Sequence, residues 1–310
     1  MRGARCGSVT THYARRIAHY ALRTTYRGML PVIDIHIHIQ PFHMLKPEVA
    51  RTFWHRKGNR AELEAFAEDP ARLLRQMDAD GIERVGLINY VSPEVMGFTS
   101  EVNEWMMRYA SADRQRLIAF GSVHPAFTLD VASETDRVIE MGSRALKIHP
   151  PHQLFRANAY LQELPSLADL YRRAEAAGIP VTIHTGTSVF PGARSRLGDP
   201  LDVDDIAIDF PKLKILLAHG GRPLWMGAAF FVVRRHPNVF LEISGIPPSK
   251  LLEYFPRIEE IAHKTVWGTD WPSPGVKSMR QNVDQFLALP LADASKKAIL
   301  YDNAATIFPV

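Results

Sequence analysis

The amino-acid sequence predicts an α/β protein folded as a single (β/α)8 TIM barrel. Eight short apolar runs, rich in Val, Ile, Leu or Phe, recur along the chain with helical signals between them. Steady alternation of strand and helix implies parallel strands joined by crossover helices. Eight such units fit a closed barrel, which typically takes about 250 residues, within the 310 of this chain. An open doubly wound sheet is the competitor. It calls for a glycine-rich loop after the first strand, and none follows here.

The expected strands are Val32–Ile39, Arg84–Tyr90, Leu117–Pro125, Arg144–Pro150, Pro180–Gly186, Lys214–Gly221, Val239–Ile246 and Thr265–Pro272. Asp69-Pro70 reads as cap and first helical residue of a helix over Ala71–Ala79, which Gly81 ends. Ser100 is placed to cap Glu101–Ala110. Asp130–Met141 stops at Gly142, and Ser166–Ala177 stops at Gly178 ahead of the fifth strand. Pro223–Arg235, Ser249–Ala262, Ser278–Leu289 and Ala292–Ile307 complete the helices. Residues 40–69 are the longest insertion; with Phe42, His43, Phe53, Trp54 and His55 they suit a lid or substrate wall.

Composition narrows the function classes. Residues 1–30 carry six arginines and no acid, out of 37 basic and 33 acidic residues in all. Residues 31–310 therefore hold 31 basic and 33 acidic residues, net −2, so charge gives no argument for nucleic acid. The basic extension, residues 1–30, is expected to be disordered or a product of a start assigned too far upstream, with Met29 the natural start. The domain proper is expected over residues 31–310. No apolar stretch reaches the roughly 18 residues of a membrane helix. The lone Cys6 requires no disulfide, which fits a reducing cytoplasm.

The chemistry sits at the strand ends. In Ile33-Asp34-Ile35-His36-Ile37-His38-Ile39 the polar residues share one face and the isoleucines the other. The isoleucines belong against the helix layer, so Asp34, His36 and His38 point into the barrel. His36 and His38 lie nearest the C-terminal mouth, where barrel sites form. Alone, the pair fits a metal site or two hydrogen-bonded core histidines equally well. Strands five, six and eight add His184, His219 and Asp270, each after an apolar run and before a Gly or Pro turn. Three histidines and a carboxylate suit zinc, iron or manganese, and a metal offsets the cost of burying so many ionisable groups.

The motifs Asp34-Ile-His36-Ile-His38, Lys147-Ile-His149-Pro150, Ile183-His184-Thr-Gly186, Ala218-His219-Gly220, Gly268-Thr-Asp270 and Asn303-Ala304-Ala305 resemble those of the amidohydrolase superfamily. The likeness is to its amidohydrolase-2 branch, which includes the aminocarboxymuconate-semialdehyde decarboxylase-like enzymes, and spans about residues 31–310. It implies one divalent ion, zinc first with manganese or iron as alternatives, held by His36, His38, His184 and Asp270. It also implies catalytic roles for Asp270, as proton acceptor, and His219. Binuclear relatives carry a carboxylated lysine on strand four, where Lys147 stands; the mononuclear habit of this branch favours one ion. Lys147, His149, Arg222 and Trp271 are the candidates for a second metal or for substrate.

Asn89, His124 and Ser244 end other strands, Arg194 and Arg196 follow strand five, and Trp225 follows strand six. All are weaker candidates. His152 is left open, and His236 and His263 are assigned no function. The expected activity is hydrolysis of an amide, lactone or related carbonyl compound. The alternative is non-oxidative decarboxylation of an aromatic or unsaturated acid on the same site. Deamination calls for a Glu close behind a strand-end His, and none follows His184. A catalytically dead barrel serving as a binding protein is the reading from another class. The expected partner is a small-molecule substrate, not nucleic acid or a membrane, and a homodimer is compatible with the fold.

Overall fold

The computed structural model describes residues 30–55, 59–273 and 275–310. The basic extension, Met29 and Cys6 thus lie outside the described residues. Eight parallel strands follow in chain order: β1 (Val32–Ile37), β2 (Ile82–Leu87), β3 (Leu117–Gly121), β4 (Ala145–Ile148), β5 (Val181–His184), β6 (Ile215–Ala218), β7 (Val239–Glu242) and β8 (Thr265–Val266). Parallel pairing joins each strand to the next from β1 to β8. The circle closes between β8 and β1. Ile35 N donates to Trp267 O (3.1 Å), Asp270 N to His36 O (2.8 Å) and His38 N to Trp271 O (2.7 Å). The expected TIM barrel is what the chain forms.

Most helices fall where the punctuation residues put them. Asp69 caps Pro70–Asp80 by accepting from Ala71 N, and Gly81 ends that helix in the left-handed region at φ 70°. Asp130 caps Val131–Glu140, and Gly178 ends Leu167–Ala177. Ser100 precedes Glu101–Ala110 as expected but makes no side-chain capping bond.

Several places depart from expectation; the helix expected over Ala292–Ile307, for one, is interrupted by a π turn at Ala298–Asp302. A helix at Asp202–Asp209 joins β5 to β6; its short acidic sequence lacks a capping side chain and was not expected. The single helix expected over Ser249–Ala262 is two pieces, Pro248–Tyr254 and a tighter turn at Ile258–Lys264. Pro256 separates them, because proline offers no N–H and pushes Phe255 out of the helical region. The eighth strand ends at Val266, and Asp270 beyond it has φ 64°. The insertion folds into helices Pro47–His55, whose Thr52 and Phe53 line the cavity with the strand-1 histidines, and Arg60–Glu68, whose Phe66 packs on Trp271.

Candidate metal centre

The first strand delivers its polar residues inward as the alternation requires. Asp34, fully buried, accepts from Thr269 N (2.9 Å) and Thr269 Oγ1 (2.6 Å) and ties β1 to the end of β8. Burial pushes its carboxyl up to about 7, against the pull of the Thr269 bonds. One step along that face, His36 Nδ1 donates to Glu242 Oε2 at 2.6 Å. That bond settles the tautomer and turns Nε2 toward the mouth. There His36 Nε2 stands 3.3 Å from His38 Nε2 and 3.7 Å from Asp270 Oδ1, and His38 Nε2 stands 3.1 Å from the same oxygen.

Among the described residues, His36, His38 and Asp270 are the group whose donor atoms lie within 4.8 Å of one another. Ligands about 2.1 Å from a common ion at tetrahedral or octahedral angles stand roughly 3.0–3.4 Å apart. Two of the three separations fall in that range and the third is slightly wide. Two imidazole lone pairs and one carboxylate, converging in a buried site, fit a divalent cation.

Backbone reversal aims the last strand end. Asp270 and His219 both hold positive φ, 64° and 68°, which costs energy for residues with a side chain. Asp270 lends Oδ1 to the cluster, while Oδ2 faces Arg222 Nη2 at 3.4 Å. Burial alone would raise its pKa, but the hydrogen bond and charge of His38, with the charges of His36 and Arg222, hold it well below the carboxylate range. A Cβ on Gly268 would lie 2.7 Å from His36 Cβ and 2.8 Å from Glu242 Oε1, so glycine makes room for the His36–Glu242 pair. His219 Nδ1 lies 2.9 Å from Ser244 O and 3.0 Å from Ser244 Oγ, which leaves Nε2 as the atom it can offer the cavity.

His184 lies beside the cluster rather than within it. Its Nε2 is turned to Thr187 O at 3.4 Å, and its ring stacks on His149 at 3.7 Å. Of the four expected ligands, the structure thus brings three together and leaves His184 rotated toward its own loop. Lys147 on β4 and His149 just beyond it line the cavity, and among the described residues Lys147 Nζ and His149 Nδ1 have no hydrogen-bond partner. Burial lowers Lys147 to about 8, with the charges of Glu242 and Asp270 opposing.

The cavity above these residues measures about 420 Å³. Arg222 lines it as expected, and Gln40, Thr52 and Phe53 of the insertion form part of its wall. Trp271 does not line it: the ring is buried edge-on against Phe66 at 5.4 Å, so its expected contact with substrate is replaced by packing beneath the insertion. Asn89, His124, Arg194, Arg196 and Trp225 also lie off the cavity lining, and Ser244 sits behind His219. His236 bonds Asp204 at 2.6 Å and takes no part. Sequence reasoning passed over Glu242, whose signal was a lone acid in the apolar run Val239-Phe-Leu-Glu242-Ile. It also passed over Tyr90 and Ser188, ordinary loop and strand-end residues that the fold brings to the cavity.

A family model described as amidohydrolase matches residues 33–310. The chain belongs to the amidohydrolase family. Its members include metal-dependent hydrolases and carboxy-lyases, and this amidohydrolase is an enzyme of that kind. No curated protein matches it by sequence. Solved structures share its fold. An uncharacterized TIM-barrel protein from Bordetella bronchiseptica is 21% identical with a TM-score of 0.69, covering 90% of this chain and 98% of its own. A 5-carboxyvanillate decarboxylase from Novosphingobium aromaticivorans, complexed with manganese and 4-hydroxy-3-methoxy-5-nitrobenzoic acid, is 17% identical with a TM-score of 0.64, covering 92% of this chain and 97% of its own. A probable 2-pyrone-4,6-dicarboxylic acid hydrolase from Acinetobacter baumannii, with citric acid bound, is 16% identical with a TM-score of 0.63, covering 91% of this chain and 100% of its own.

Proposed function

We propose that this amidohydrolase hydrolyses a small carbonyl compound, an amide, lactone or relative, with one divalent ion held by His36, His38 and Asp270. His184 completes the set after turning its ring from Thr187. Zinc is the first candidate, with manganese or iron as alternatives. The observation that carries the reading is the division of Asp270, one oxygen in the donor cluster and the other on the cavity side beside Arg222. When bound, the ion supplies Lewis acidity, lowering the pKa of a water toward about 7 and polarising a carbonyl, so that even a weak base such as Asp270 suffices.

The chain does the rest. Asp270 Oδ2 accepts a proton from the attacking water as the water oxygen bonds to the carbonyl carbon. With the Ser244 hydroxyl donating to His219 Nδ1, the ring proton sits on Nε2, which donates to the carbonyl oxygen as negative charge develops there. The bond to the leaving nitrogen or oxygen then breaks, and the leaving atom takes the proton held on Asp270. Glu242 holds His36 in the ligating tautomer throughout.

Decarboxylation is the second reading. The ammonium of Lys147, without a hydrogen-bond partner among the described residues, favours an acidic substrate, and a carboxylic acid is what the Novosphingobium enzyme acts on. Metal-loaded protein incubated in 18O-water with lactones, amides and aromatic or muconic acids separates the two. Solvent oxygen in the product is expected. Release of CO2 without it overturns hydrolysis, and no turnover with metal bound favours a binding barrel. One ion per chain is expected by metal analysis, lost in His38→Ala and retained in His219→Ala; two ions would overturn the single-ion site.

A further inference from the structure

One wall of the cavity carries a hydrogen-bonded chain that the proposed hydrolysis does not use. Tyr90 Oη lies 2.7 Å from His152 Nδ1, and His152 Nε2 lies 2.6 Å from Ser188 Oγ. All three residues line the cavity. The imidazole is held at both ring nitrogens, with one face stacked on His149 at 3.6 Å and 10° and Phe190 edge-on at 5.6 Å. Ser188 sits in the loop after β5, and its Oγ also accepts from Phe190 N at 3.3 Å.

Proton counting gives this chain a direction. Hydroxyl groups flank both ring nitrogens, and among the described residues no carboxylate is bonded to the ring, so the buried His152 is neutral and carries one ring proton. Burial, helped by the charge of Lys147, holds its pKa down to about 3. If that proton sat on Nδ1, it would donate to Tyr90, and the Tyr90 hydroxyl hydrogen would have no partner among the described residues. Tyr90 is only 3% exposed, so such an orphan is costly. With the proton on Nε2 instead, Tyr90 donates to Nδ1 and His152 donates to Ser188 Oγ. Ser188 then accepts twice, from His152 and from Phe190 N, and its own hydrogen is left over to donate.

We propose that Ser188 is a hydrogen-bond donor to substrate, oriented by His152 and Tyr90 as positioning residues, and that it receives an oxygen acceptor, a carboxylate or carbonyl oxygen. The assignment rests on the cavity being the substrate site of the hydrolase proposed above. It also sets a specificity: an ammonium or N–H of a ligand at this point meets a donor and is rejected.

Two measurements test it. The first is the nitrogen-15 spectrum of histidine-labelled protein, with His152 assigned by its loss in His152→Gln. A proton on Nε2 is expected, and exchange between both tautomers once the Tyr90 hydroxyl is removed in Tyr90→Phe. A proton on Nδ1 in the native protein, or no response to Tyr90→Phe, overturns the chain's direction. The second is benzoate binding by calorimetry to metal-loaded and metal-free protein. Ser188→Ala should weaken it about five- to tenfold, the loss of one hydrogen bond, and Ser188→Thr should restore it. Equal binding by Ser188→Ala, or none by the native protein, overturns the donor role. Failure of the native protein to take up a divalent ion would sink the hydrolase reading, while the Ser188 contrast would still be read in the metal-free arm.

Discussion

Replacing Glu242 by glutamine should cost the protein its metal before it costs the fold. Glu242 spends both oxygens: Oε2 accepts from His36 Nδ1 and Oε1 accepts from Ser244 N, each at 2.6 Å. Burial by itself would raise its pKa, but the charge and hydrogen bond of His36, with the Ser244 bond, hold it below the usual value. Glutamine keeps the shape and offers one acceptor and one amide donor. If its oxygen keeps Ser244, its NH2 group donates to His36 Nδ1, and the ring proton moves to Nε2, which then cannot ligate. If its oxygen keeps His36, the NH2 group confronts the Ser244 N–H donor to donor. Partners of this kind typically contribute about 10–100-fold in metal affinity, roughly 1.4–2.7 kcal/mol, and the forced conflict places Glu242→Gln at the upper end. Chelator-competition titration with manganese and zinc reads the affinity, and a urea denaturation curve confirms that the variant is folded. A folded Glu242→Gln with native metal affinity refutes the claim that this bond selects the ligating tautomer.

Two more outcomes follow from the packing. Gly268→Ala drives a Cβ to 2.7 Å from His36 Cβ and 2.9 Å from Ser244 Cβ, neither of which can retreat inside the barrel. A loss of about 1–3 kcal/mol in denaturant unfolding is expected, with weaker metal uptake; an alanine variant as stable as the parent would show that the interior yields. His124 is buried, and burial lowers its pKa from 6.5 to about 4 against the opposing effect of backbone hydrogen bonds. Between those values the unfolded chain takes up a proton that the folded chain refuses, so stability at this site falls as pH drops through the window. His124→Leu should flatten that part of the profile, and an unchanged slope in urea midpoints between neutral pH and about pH 4.5 would remove His124 as its source.

Much of this was legible in the sequence because the barrel repeats a simple rule. Isoleucines on one face of β1 forced Asp34, His36 and His38 inward, and single polar residues ending apolar runs marked Asp270 and His219. What stayed hidden depends on partners distant in the chain or on rotation about a side-chain bond. No local pattern says that Glu242 meets His36, 206 positions away. The direction of His184's ring is a torsional choice made by its stacking on His149, and the burial of Trp271 depends on Phe66 arriving from the insertion. The break at Pro256, by contrast, was visible in the residue itself.

The line along which the barrel closes passes through the donor cluster. Asp270 N is bonded to His36 O, and His38 N to Trp271 O, so the backbone atoms that shut the circle belong to the residues that gather the ion or adjoin them. A ribosome releasing this chain delivers the two histidines early and the carboxylate more than two hundred residues later. Contacts so distant in sequence form slowly. A half-made molecule therefore carries a pair of imidazoles and no complete claw. Uptake of the ion then works as a certificate of completion: in an engineered or truncated version, full-strength metal binding reports that the first and last strands have met.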